Sequence, residues 1–375
     1  MPLHVLVDML FYTGKRGGTE TYAREIVKRM PEALPDAKLT ALANRAGAER
    51  IRSFFPGEVR VVRWVGTDRV SWAAGEVLAT NRRAKRTDAD VIWSPANFAP
   101  ITRSRVARVT TTHDVTYHTA DGRGIGGAVA RITSWLMARA ALTSDAVITG
   151  SHAAEAAVAS HIGVDRGEIT VIPHGTNAPK VPEDPWAELT PLGIRPGRPL
   201  VLSTGNRLPH KNFEGILHAV AQMDGGKPLV VIPGTHGKGP LGPLVDQLGL
   251  HDDVVLPGWV TSVQLEALFS VADLYVCPSL TEGFGLPVID AMRRGCVVLA
   301  NDVPVLREVG GDVALYADAT SPSELAAAVE AALSDDLEMR RIAGVQRAAE
   351  YTWERSAGLT AQVIRAVATR ARGRA

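Results

Sequence analysis

Short apolar runs alternate with segments of helical periodicity along most of this chain. Runs such as Ala146-Val147-Ile148 are apolar at every position, as in strands that are buried on both faces of a parallel sheet. The strands predicted in the first half are Leu3–Asp8, Lys38–Ala43, Val59–Val65, Asp90–Trp93, Val106–Thr112, Asp145–Thr149 and Ile169–Ile172. The helices predicted between them are Thr19–Met30, Val70–Arg86, Gly127–Leu142 and Ser151–Ile162. This alternation predicts an α/β fold and argues against a sandwich or a helical bundle.

The alternation stops between residues 178 and 199, a stretch that holds six prolines. Because proline sustains neither a helix interior nor a central strand, this stretch is predicted to be an interdomain linker. The strands predicted beyond it are Leu200–Thr204, Leu229–Ile232, Val254–Leu256, Leu274–Cys277 and Cys296–Ala300. The helices predicted beyond it are Asn212–Met223, Ser262–Val271, Pro287–Arg294 and Ser323–Leu333.

Two doubly wound domains are therefore expected, an N-terminal one over 1–177 and a C-terminal one over 200–352. Facing domains of this kind leave a cleft between the carboxyl ends of their sheets, where open α/β sheets bind ligands. The last predicted helix, Trp353–Arg370, is amphipathic with a basic end, and its own pattern does not assign it to either domain.

The composition excludes some classes of protein. Of the 375 residues, 46% are hydrophobic and 22% are charged, which is typical of a globular protein rather than a disordered one. A net charge of +1 gives no support for a general nucleic-acid binder. The two cysteines, Cys277 and Cys296, are too few for a disulfide-rich secreted domain, so we expect a cytoplasmic protein. The sequence shows no signal-peptide pattern and no apolar stretch of about 18 residues.

The segment from Ser279 to Met292 carries the strongest chemical signal. A buried strand leads into a loop with Gly283 and Gly285, and a helix is predicted to start at Pro287. The amides of the loop and of the helix N-terminus are suited to bind an anion. The flanking carboxylates, Glu282 and Asp290, can accept hydrogen bonds from sugar or ribose hydroxyls. The alternative is a plain glycine turn followed by an aspartate that only stabilises the helix dipole.

A second segment, Ser203 to Asn212, follows the first predicted strand of the C-terminal domain. Arg207 and Lys211 would lie at the carboxyl end of that strand and could neutralise the charge on a departing diphosphate. The alternative is a solvated basic turn.

Two further candidates lie in the N-terminal domain. Gly17 and Gly18 open a helix without the G-x-G-x-x-G spacing of a dinucleotide-binding loop, and a plain turn is the alternative. His113 ends a strand and could bind a substrate hydroxyl, although a structural histidine would fit the same pattern. Asp88-Ala89-Asp90 has metal-binding spacing, but it precedes a strand instead of following one, so we interpret it as a solvated turn.

Taken together, these segments resemble the retaining glycosyltransferases of family 4, including mannosyltransferase-like bacterial members. The family has the GT-B fold, in which two Rossmann-like domains face each other across a cleft. The segments that carry the resemblance are Gly17-Gly18, Ser94-Pro95-Ala96-Asn97, His113-Asp114, Ile172-Pro173-His174-Gly175, Pro209-His210-Lys211-Asn212, Glu282-Gly283-Phe284-Gly285-Leu286-Pro287 and Leu306-Arg307-Glu308-Val309-Gly310.

The resemblance implies a role for each matching residue. Its catalytic candidates are His113, Arg207, Lys211 and Glu282. Its donor-binding candidates are Gly17, Gly18, Asn206, Phe284, Gly285, Leu286 and Asp290. Where the family has a second glutamate that binds ribose, this chain has Asp290, whose side chain is one methylene shorter. The resemblance also implies that the helix from Trp353 crosses back to the first domain.

The implied reaction moves a hexosyl group from a nucleotide-diphosphate sugar to a hydroxyl acceptor with retention, without a metal or another cofactor. The acceptor is left open among small molecules, lipid-linked molecules and glycans, and so are the base, the oligomeric state and contact with the inner membrane face. Two alternatives remain: a non-hydrolysing sugar-nucleotide epimerase and a non-catalytic nucleotide-sugar-binding protein.

Overall fold

The computed structural model describes residues 2–14, 17–115, 124–235 and 239–373. The chain divides into two compact units. Unit 1 comprises Met1–Gly175 together with Thr352–Ala375, and unit 2 comprises Thr176–Tyr351. Unit 1 is therefore built from both ends of the chain.

Each unit contains one sheet. The strands of unit 1 are β1 (His4–Met9), β2 (Lys38–Asn44), β3 (Glu58–Val62), β4 (Val91–Ser94), β5 (Ala107–Thr111), β6 (Ala146–Thr149) and β7 (Ile169–Val171). The strands of unit 2 are β8 (Leu200–Leu202), β9 (Leu229–Val231), β10 (Val254–Val255), β11 (Leu274–Cys277), β12 (Val297–Asn301) and β13 (Leu315–Ala317).

Helices follow most of the strands. They are α1 (Gly18–Ala33), α2 (Ala48–Arg52), α3 (Arg69–Gly75), α4 (Asn81–Arg86), α5 (Gly124–Leu142), α6 (His152–Ile162), α7 (Pro185–Leu189), α8 (Phe213–Ala221), α9 (Gly242–Leu248), α10 (Ser262–Val271), α11 (Leu286–Arg293), α12 (Pro304–Gly310), α13 (Pro322–Ser334), α14 (Glu338–Ala349) and α15 (Trp353–Arg372).

Both sheets are parallel throughout their pairings and reverse their strand order near the middle. The order is β3-β2-β1-β4-β5-β6-β7 in unit 1 and β10-β9-β8-β11-β12-β13 in unit 2. The connections leave β1 and β4, and likewise β8 and β11, in opposite directions. Loops at such a switch point diverge at the carboxyl edge and leave room for a ligand between them. Each unit is thus a Rossmann-like α/β domain, as the strand and helix pattern predicts.

The predicted strands lie where they do because their side chains are buried on both faces of a sheet. β6, β8, β9 and β11 are buried at every position. In unit 2 the core of the sheet includes Val201, Val230, Val276 and Leu299, one from each central strand. Full burial of each aliphatic side chain stabilises the fold by roughly 1.5–3 kcal/mol, so this layer holds the four central strands together.

The predicted helix Val70–Arg86 is interrupted. Residues Glu76–Thr80 form a π-helical turn between α3 and α4. Two buried side chains of the turn explain its position: Glu76 accepts a hydrogen bond from Trp72 Nε1 (2.9 Å), and Thr80 Oγ1 donates to Asp8 on β1 (3.0 Å). Burial, together with the nearby Asp8, raises the pKa of the Glu76 carboxyl well above its usual value. Such a turn is fixed by tertiary contacts, which periodicity alone does not reveal.

The proline-rich segment 178–199 differs from the predicted linker, since it lies within unit 2 and contains a helix. Asp184 caps α7 by accepting a hydrogen bond from Ala187 N (3.0 Å), and Pro185 occupies the first turn, where no N–H is needed. α7 packs against α10, and Leu189 and Ile194 are fully buried. The prolines therefore limit the helix to little more than one turn without separating the segment from the domain.

The C-terminal helix α15 packs against α1 and against β4, β5 and β6, all in unit 1. Trp353 begins the helix and is buried. Near its other end, Arg372 donates to both carboxylate oxygens of Asp90 at 2.9 and 2.8 Å. Asp90 also accepts a hydrogen bond from His4 N (2.8 Å). The sequence interpretation of this aspartate as part of a solvated turn is wrong, because it anchors α15 beside the start of β1.

None of the helices in the described ranges combines the length and the apolar character needed to cross a lipid bilayer.

Gly175 lies where the chain passes closest to the start of α15. A Cβ atom at Gly175 would overlap the backbone nitrogen of Trp353, which cannot move independently of the helix. We expect Gly175→Ala to lower the free energy of unfolding of unit 1 by about 2–3 kcal/mol, measured by urea denaturation. Gly358→Ala is the matched control, since a Cβ there meets no heavy atom of the described chain within 4 Å. Because Gly358 lies inside α15, its replacement should raise stability by about 0.5–1 kcal/mol. Equal effects of the two substitutions would contradict this account.

Candidate functional site

In unit 2, the loops after β8 and β11 meet at the switch point of the sheet. Leu280 N donates to the carbonyl oxygen of His210 (2.8 Å), which joins the two backbones directly. Beside this contact, Lys211 Nζ lies 2.6 Å from Glu282 Oε1. The two side chains are only 17% and 11% exposed, so the ion pair is largely shielded from water. The structure thus brings together a lysine and a glutamate that are 71 residues apart in sequence.

A tight turn positions Lys211. Residues Pro209–Lys211 form one turn of 3-10 helix, and Asn212 then adopts a left-handed conformation with φ of 50° before α8 begins. Asparagine tolerates this conformation better than most residues. The Asn212 side chain also donates to the carbonyl oxygen of Ala319 (2.8 Å), which holds the turn against the loop after β13.

Gly285 allows the second loop to turn into α11. It is the N-cap of the helix with φ of 102°, a conformation that strains any residue with a Cβ. Phe284 is buried, and its ring lies 5.8 Å from that of Tyr351. This contact in the interior of unit 2 holds the turn in place. α11 begins at Leu286, one residue before the predicted start, with Pro287 in its first turn. Pro287 has no N–H, and Val288 N donates to the Gly285 carbonyl oxygen (2.9 Å), so an anion at this helix start would meet the positive end of the helix dipole and the amides that precede Pro287.

Asn301 supports both loops and was not recognised in the sequence. It ends β12, and its side chain is buried. Its Nδ2 donates to the Ser279 carbonyl oxygen (3.1 Å), and its Oδ1 accepts from Ala319 N (2.9 Å). Asn301 therefore links the loop before Glu282 to the residue that holds Asn212. Only its place at a strand end could have indicated this role.

Asp290 lies on α11 and is engaged inside unit 2. Its Oδ1 accepts from Thr176 Oγ1 and lies 3.4 Å from Arg294 Nη1. Arg294 in turn makes a bidentate pair with Glu266, at 2.9 and 2.7 Å. Desolvation raises the pKa of the Asp290 carboxyl, although Arg294 and Thr176 act in the opposite direction. Its side chain is still 38% exposed, so a carboxylate edge remains accessible to a ligand.

Arg207 and Asn206 follow β8 but differ in their surroundings. Arg207 is buried, and its Nη2 donates to the Ile232 carbonyl oxygen (2.7 Å) after β9. Burial lowers the pKa of this guanidinium. Part of the hydrogen-bonding capacity of Arg207 is thus used inside the domain, whereas Asn206 is exposed.

In unit 1, Gly17 and Gly18 are exposed at the start of α1, with Gly17 as its N-cap. The neighbouring Lys15 and Arg16 of this motif lie outside the described residues. Glu20 on the first turn of the helix is buried and accepts from both the backbone N (2.6 Å) and the Oγ1 (3.1 Å) of Thr13. This carboxylate therefore holds Thr13, which follows β1, against the first turn of α1.

His113 follows β5 and is held from two sides. Its backbone N donates to Asn97 Oδ1 (2.6 Å), and its Nε2 lies 3.0 Å from the Pro95 carbonyl oxygen. A ring nitrogen that faces a carbonyl oxygen carries the proton, which leaves Nδ1 as the acceptor of the neutral ring. Burial lowers the pKa of His113, so the neutral form is favoured.

His113 belongs to a buried cluster of four rings with Tyr22, His174 and Trp353, which we call the histidine cluster. The Tyr22 ring lies 4.9 Å from that of His113 and 4.7 Å from that of His174. The two histidine rings are 5.4 Å apart, and His174 stacks on Trp353 at 6.1 Å. In the sequence the segment around His174 contributes only to the family resemblance, whereas in the structure it connects the candidate His113 to the first residue of α15.

The described residues contain no cluster of three His, Cys, Asp or Glu side chains able to hold a metal ion. Cys277 and Cys296 are buried free thiols, and burial raises their pKa values to about 11 and about 12.

Comparison with known proteins agrees with this arrangement. The family model described as Glycosyltransferase Family 4 matches residues 16–179, and the model described as Glycosyl transferases group 1 matches residues 186–347. The two matches together cover most of both units. The chain belongs to the family 4 glycosyltransferases and has the GT-B fold.

Individual relatives match the chain over only part of its length. A D-inositol 3-phosphate glycosyltransferase of Nocardia farcinica is 31% identical over 52% of this chain and 47% of its own length. An O-antigen chain mannosyltransferase B of Escherichia coli is 31% identical over 44% of each chain. The match thus spans about half the length of these curated relatives. The structure of Anabaena HepE in complex with UDP superposes with a TM-score of 0.71 at 18% identity, covering 97% of this chain and 100% of that one. That likeness shows the fold alone.

The histidine cluster should make unit 1 sensitive to acid. Burial lowers the pKa of His174 well below 6.5, so the unfolded chain binds a proton that the folded chain excludes. Excluding this proton costs no stability above about pH 6.5, where the unfolded chain is also neutral at His174. As the pH falls below about 6.5, the free energy of unfolding decreases. We expect His174→Phe to reduce the loss of unfolding free energy between pH 7.5 and 5.5 by about 1 kcal/mol, measured by urea denaturation at both pH values. An unchanged pH dependence in the variant would show that His174 titrates normally in the fold.

Proposed function

We propose that this protein is a retaining glycosyltransferase that moves a hexosyl group from a nucleotide-diphosphate sugar to a hydroxyl acceptor. The observation that carries the proposal is the shielded pair of Lys211 and Glu282 at the switch point of unit 2. The pair lies in loops that also lead into the N-terminus of α11. A cation, a carboxylate and a helix N-terminus in one place match the diphosphate and the sugar hydroxyls of such a donor.

Donor binding would exchange the partners of this pair. In unit 2, Lys211 and Glu282 neutralise each other across 2.6 Å. A bound diphosphate would accept hydrogen bonds from Lys211 and from the amides of Phe284, Gly285 and Leu286. Glu282 would then accept from hydroxyls of the transferred sugar, so both charged groups keep a partner. Because unpaired buried charges are costly, this exchange favours a ligand that satisfies both groups at once.

The proposed chemistry needs no covalent intermediate. The bond between the anomeric carbon and the diphosphate oxygen breaks, and the acceptor oxygen bonds to that carbon on the same face. The acceptor proton passes to the departing diphosphate. Lys211, Arg207 and the amides before α11 stabilise the negative charge on the leaving group, and we propose that no metal is required. Groups arranged in this way before the reaction act mainly by electrostatic stabilisation.

Asp290 would contact the ribose through its accessible edge. One of its oxygens is already occupied by Thr176 and Arg294, so a single carboxylate oxygen would bind a ribose hydroxyl directly or through water. The exposed Asn206 is proposed to contact the donor beside it. In unit 1, Nδ1 of His113 could accept from a sugar hydroxyl, and the exposed amides of Gly17 and Gly18 could face the diphosphate.

The names of the relatives support the class of reaction. The Nocardia farcinica protein is an inositol phosphate glycosyltransferase, the Escherichia coli protein is a mannosyltransferase, and Anabaena HepE binds UDP. The first two names indicate different acceptors, so the acceptor of this chain does not follow from them.

Removing Lys211 should abolish transfer without unfolding the protein. We expect Lys211→Ala to lower nucleotide release from the preferred donor at least about 100-fold, because the leaving group loses its cation. Binding of the nucleoside diphosphate should weaken about 10- to 100-fold, measured by calorimetry. The matched control is Lys227→Ala, which removes one charge from the loop before β9, at the other end of the sheet. Near-normal turnover in Lys211→Ala would disprove the proposed role of the lysine.

A ligand screen should identify the base. UDP, GDP and ADP, each added to the full chain, should raise the apparent melting temperature to different extents, since a ligand stabilises the state that binds it. We expect the preferred diphosphate to shift the transition by several degrees in wild type and much less in Lys211→Ala. No shift with any of the three would count against a nucleotide-diphosphate donor.

Product analysis separates the remaining alternatives. A sugar-nucleotide epimerase would change the donor sugar without releasing nucleotide and without an acceptor. A non-catalytic binding protein would bind the diphosphate but leave the donor intact, whereas a transferase hydrolyses it slowly when no acceptor is present. Chromatography of the nucleotides after overnight incubation distinguishes the three.

A further inference from the structure

Helix α5 in unit 1 exposes an apolar stripe that no part of the proposed reaction uses. Val129, Ile132 and Trp135 recur at intervals of three residues and are 42%, 60% and 57% exposed. They share one side of the helix, and Leu142 two turns later is 41% exposed. The opposite side is buried through Ser134, Met137, Ala140 and Ala141. Large exposed apolar side chains grouped in this way indicate an interaction surface.

The charged residues within α5 are both basic. Arg131 and Arg139 are exposed on α5, and residues 124–144 contain no acidic residue. The loop from 100 to 106 likewise has no acidic residue and exposes Arg103 and Arg105. These two stretches therefore combine apolar and cationic groups, and exposed carboxylates follow in sequence only beyond them, at Asp145 after α5.

A second helical segment adds residues of the same kinds. The π-helical turn before α4 exposes Leu78 (65%), and α4 itself exposes Arg82, Lys85 and Arg86. Residues 77–87 contain no acidic residue. Leu78, Arg82 and Lys85 are spaced by four and three residues, which places them on one side of the helix.

Hydrogen bonds join the three segments. Asn81 Nδ2 donates to the Thr102 carbonyl oxygen (3.1 Å). Arg108 Nη2 donates to the carbonyl oxygens of Thr102 (3.3 Å) and Thr143 (2.6 Å). The loop that carries Arg103 thus lies between the start of α4 and the end of α5. Both helices belong to crossovers that advance in the same direction along the sheet, and right-handed crossovers of this kind lie on the same face.

We propose that this surface docks unit 1 on an anionic lipid bilayer. The basic apolar face, as we call it, comprises Leu78, Arg82, Arg103, Ile132, Trp135 and Arg139. Tryptophan favours the boundary between lipid headgroups and acyl chains, and isoleucine and leucine enter the apolar region below it. Each arginine close to an anionic bilayer strengthens binding by about fivefold. This inference is independent of the proposed reaction, since it uses none of the candidate site residues.

The excess of positive charge favours a bilayer over a second copy of the chain. A two-fold interface would place the same face against itself, so arginines would meet arginines, and the six residues of the face include no acidic partner. An anionic bilayer supplies both the counter-charge and the apolar layer.

The test uses the full chain and vesicles of phosphatidylcholine, with and without an equal amount of phosphatidylglycerol. We expect cosedimentation with the anionic vesicles, weak binding to pure phosphatidylcholine, and loss of binding as NaCl rises from about 50 to 500 mM. Ile132→Asn combined with Trp135→Gln should reduce partitioning about tenfold or more, and so should Arg103→Gln combined with Arg139→Gln. These side chains are exposed, so the variants should melt like wild type.

Matched controls come from other surfaces. Trp259→Gln removes a tryptophan that is 56% exposed in unit 2, and Arg166→Gln with Arg195→Gln removes two exposed arginines. Both controls should bind like wild type. Brominated lipids should quench part of the tryptophan fluorescence, and Trp135→Phe should remove most of that quenching while binding persists.

Three results would overturn the proposal. The first is a wild-type chain that ignores anionic vesicles at low salt. The second is binding that the paired substitutions on the basic apolar face leave unchanged. The third is a dimer, detected by sedimentation equilibrium, that Ile132→Asn with Trp135→Gln dissociates while no vesicle binding is seen, which would assign the face to a second copy of the chain.

Discussion

The candidate site depends on one feature of unit 2: the connections leave β8 and β11 in opposite directions at the carboxyl edge of a parallel sheet. That divergence opens the space in which the loop of Lys211 and the loop of Glu282 face each other. The contact between Leu280 N and the His210 carbonyl oxygen then fixes how closely the loops approach. The ion pair depends on this arrangement of the two loops. So do the left-handed Asn212 and the glycine that starts α11. An ion pair between a lysine and a glutamate on an exposed surface contributes little to stability. Because this pair is largely buried, the loss of either partner without a replacement is costly.

Hydrogen bonds from two asparagines explain how these loops hold charged groups in place. Asn301 uses both ends of its amide to connect the loops after β11 and β13, and Asn212 reaches the same loop. The positions of Lys211 and Glu282 are thus determined by backbone contacts more than by each other. A ligand can take over either charge without the loops having to be rebuilt, which is the condition for electrostatic stabilisation by a preorganised site.

Sequence patterns predicted the buried strands well and the contacts between loops poorly. Strands such as β11 are apolar at every position because both faces of the sheet are covered. β13 was missed because all three of its residues are only partly buried, and α14 because only Gly344 and Ala348 of its 12 residues are buried. The proline-rich segment 178–199 was misassigned, since composition cannot show that Leu189 and Ile194 are buried.

The candidate residues themselves were visible as motifs, because glycine at a strand end and proline in a first helical turn have local causes. Their partners were not. Nothing in the sequence pairs Lys211 with Glu282, Asp290 with Thr176, or His113 with His174, because these contacts depend on tertiary structure. The apolar stripe of α5 was also hidden, since a helix that is apolar on two sides looks in sequence like one that is fully buried.

The composition of unit 1 from both ends of the chain has a consequence for biosynthesis. A ribosome makes β1 to β7 first, but the tryptophan that stacks on His174 emerges only after the whole of unit 2. Until then the side of the nascent sheet that α15 covers stays open, and α1 lacks its packing partner. Unit 2 is one uninterrupted stretch and can fold as it emerges, so the domain that is started first is the one that is finished last.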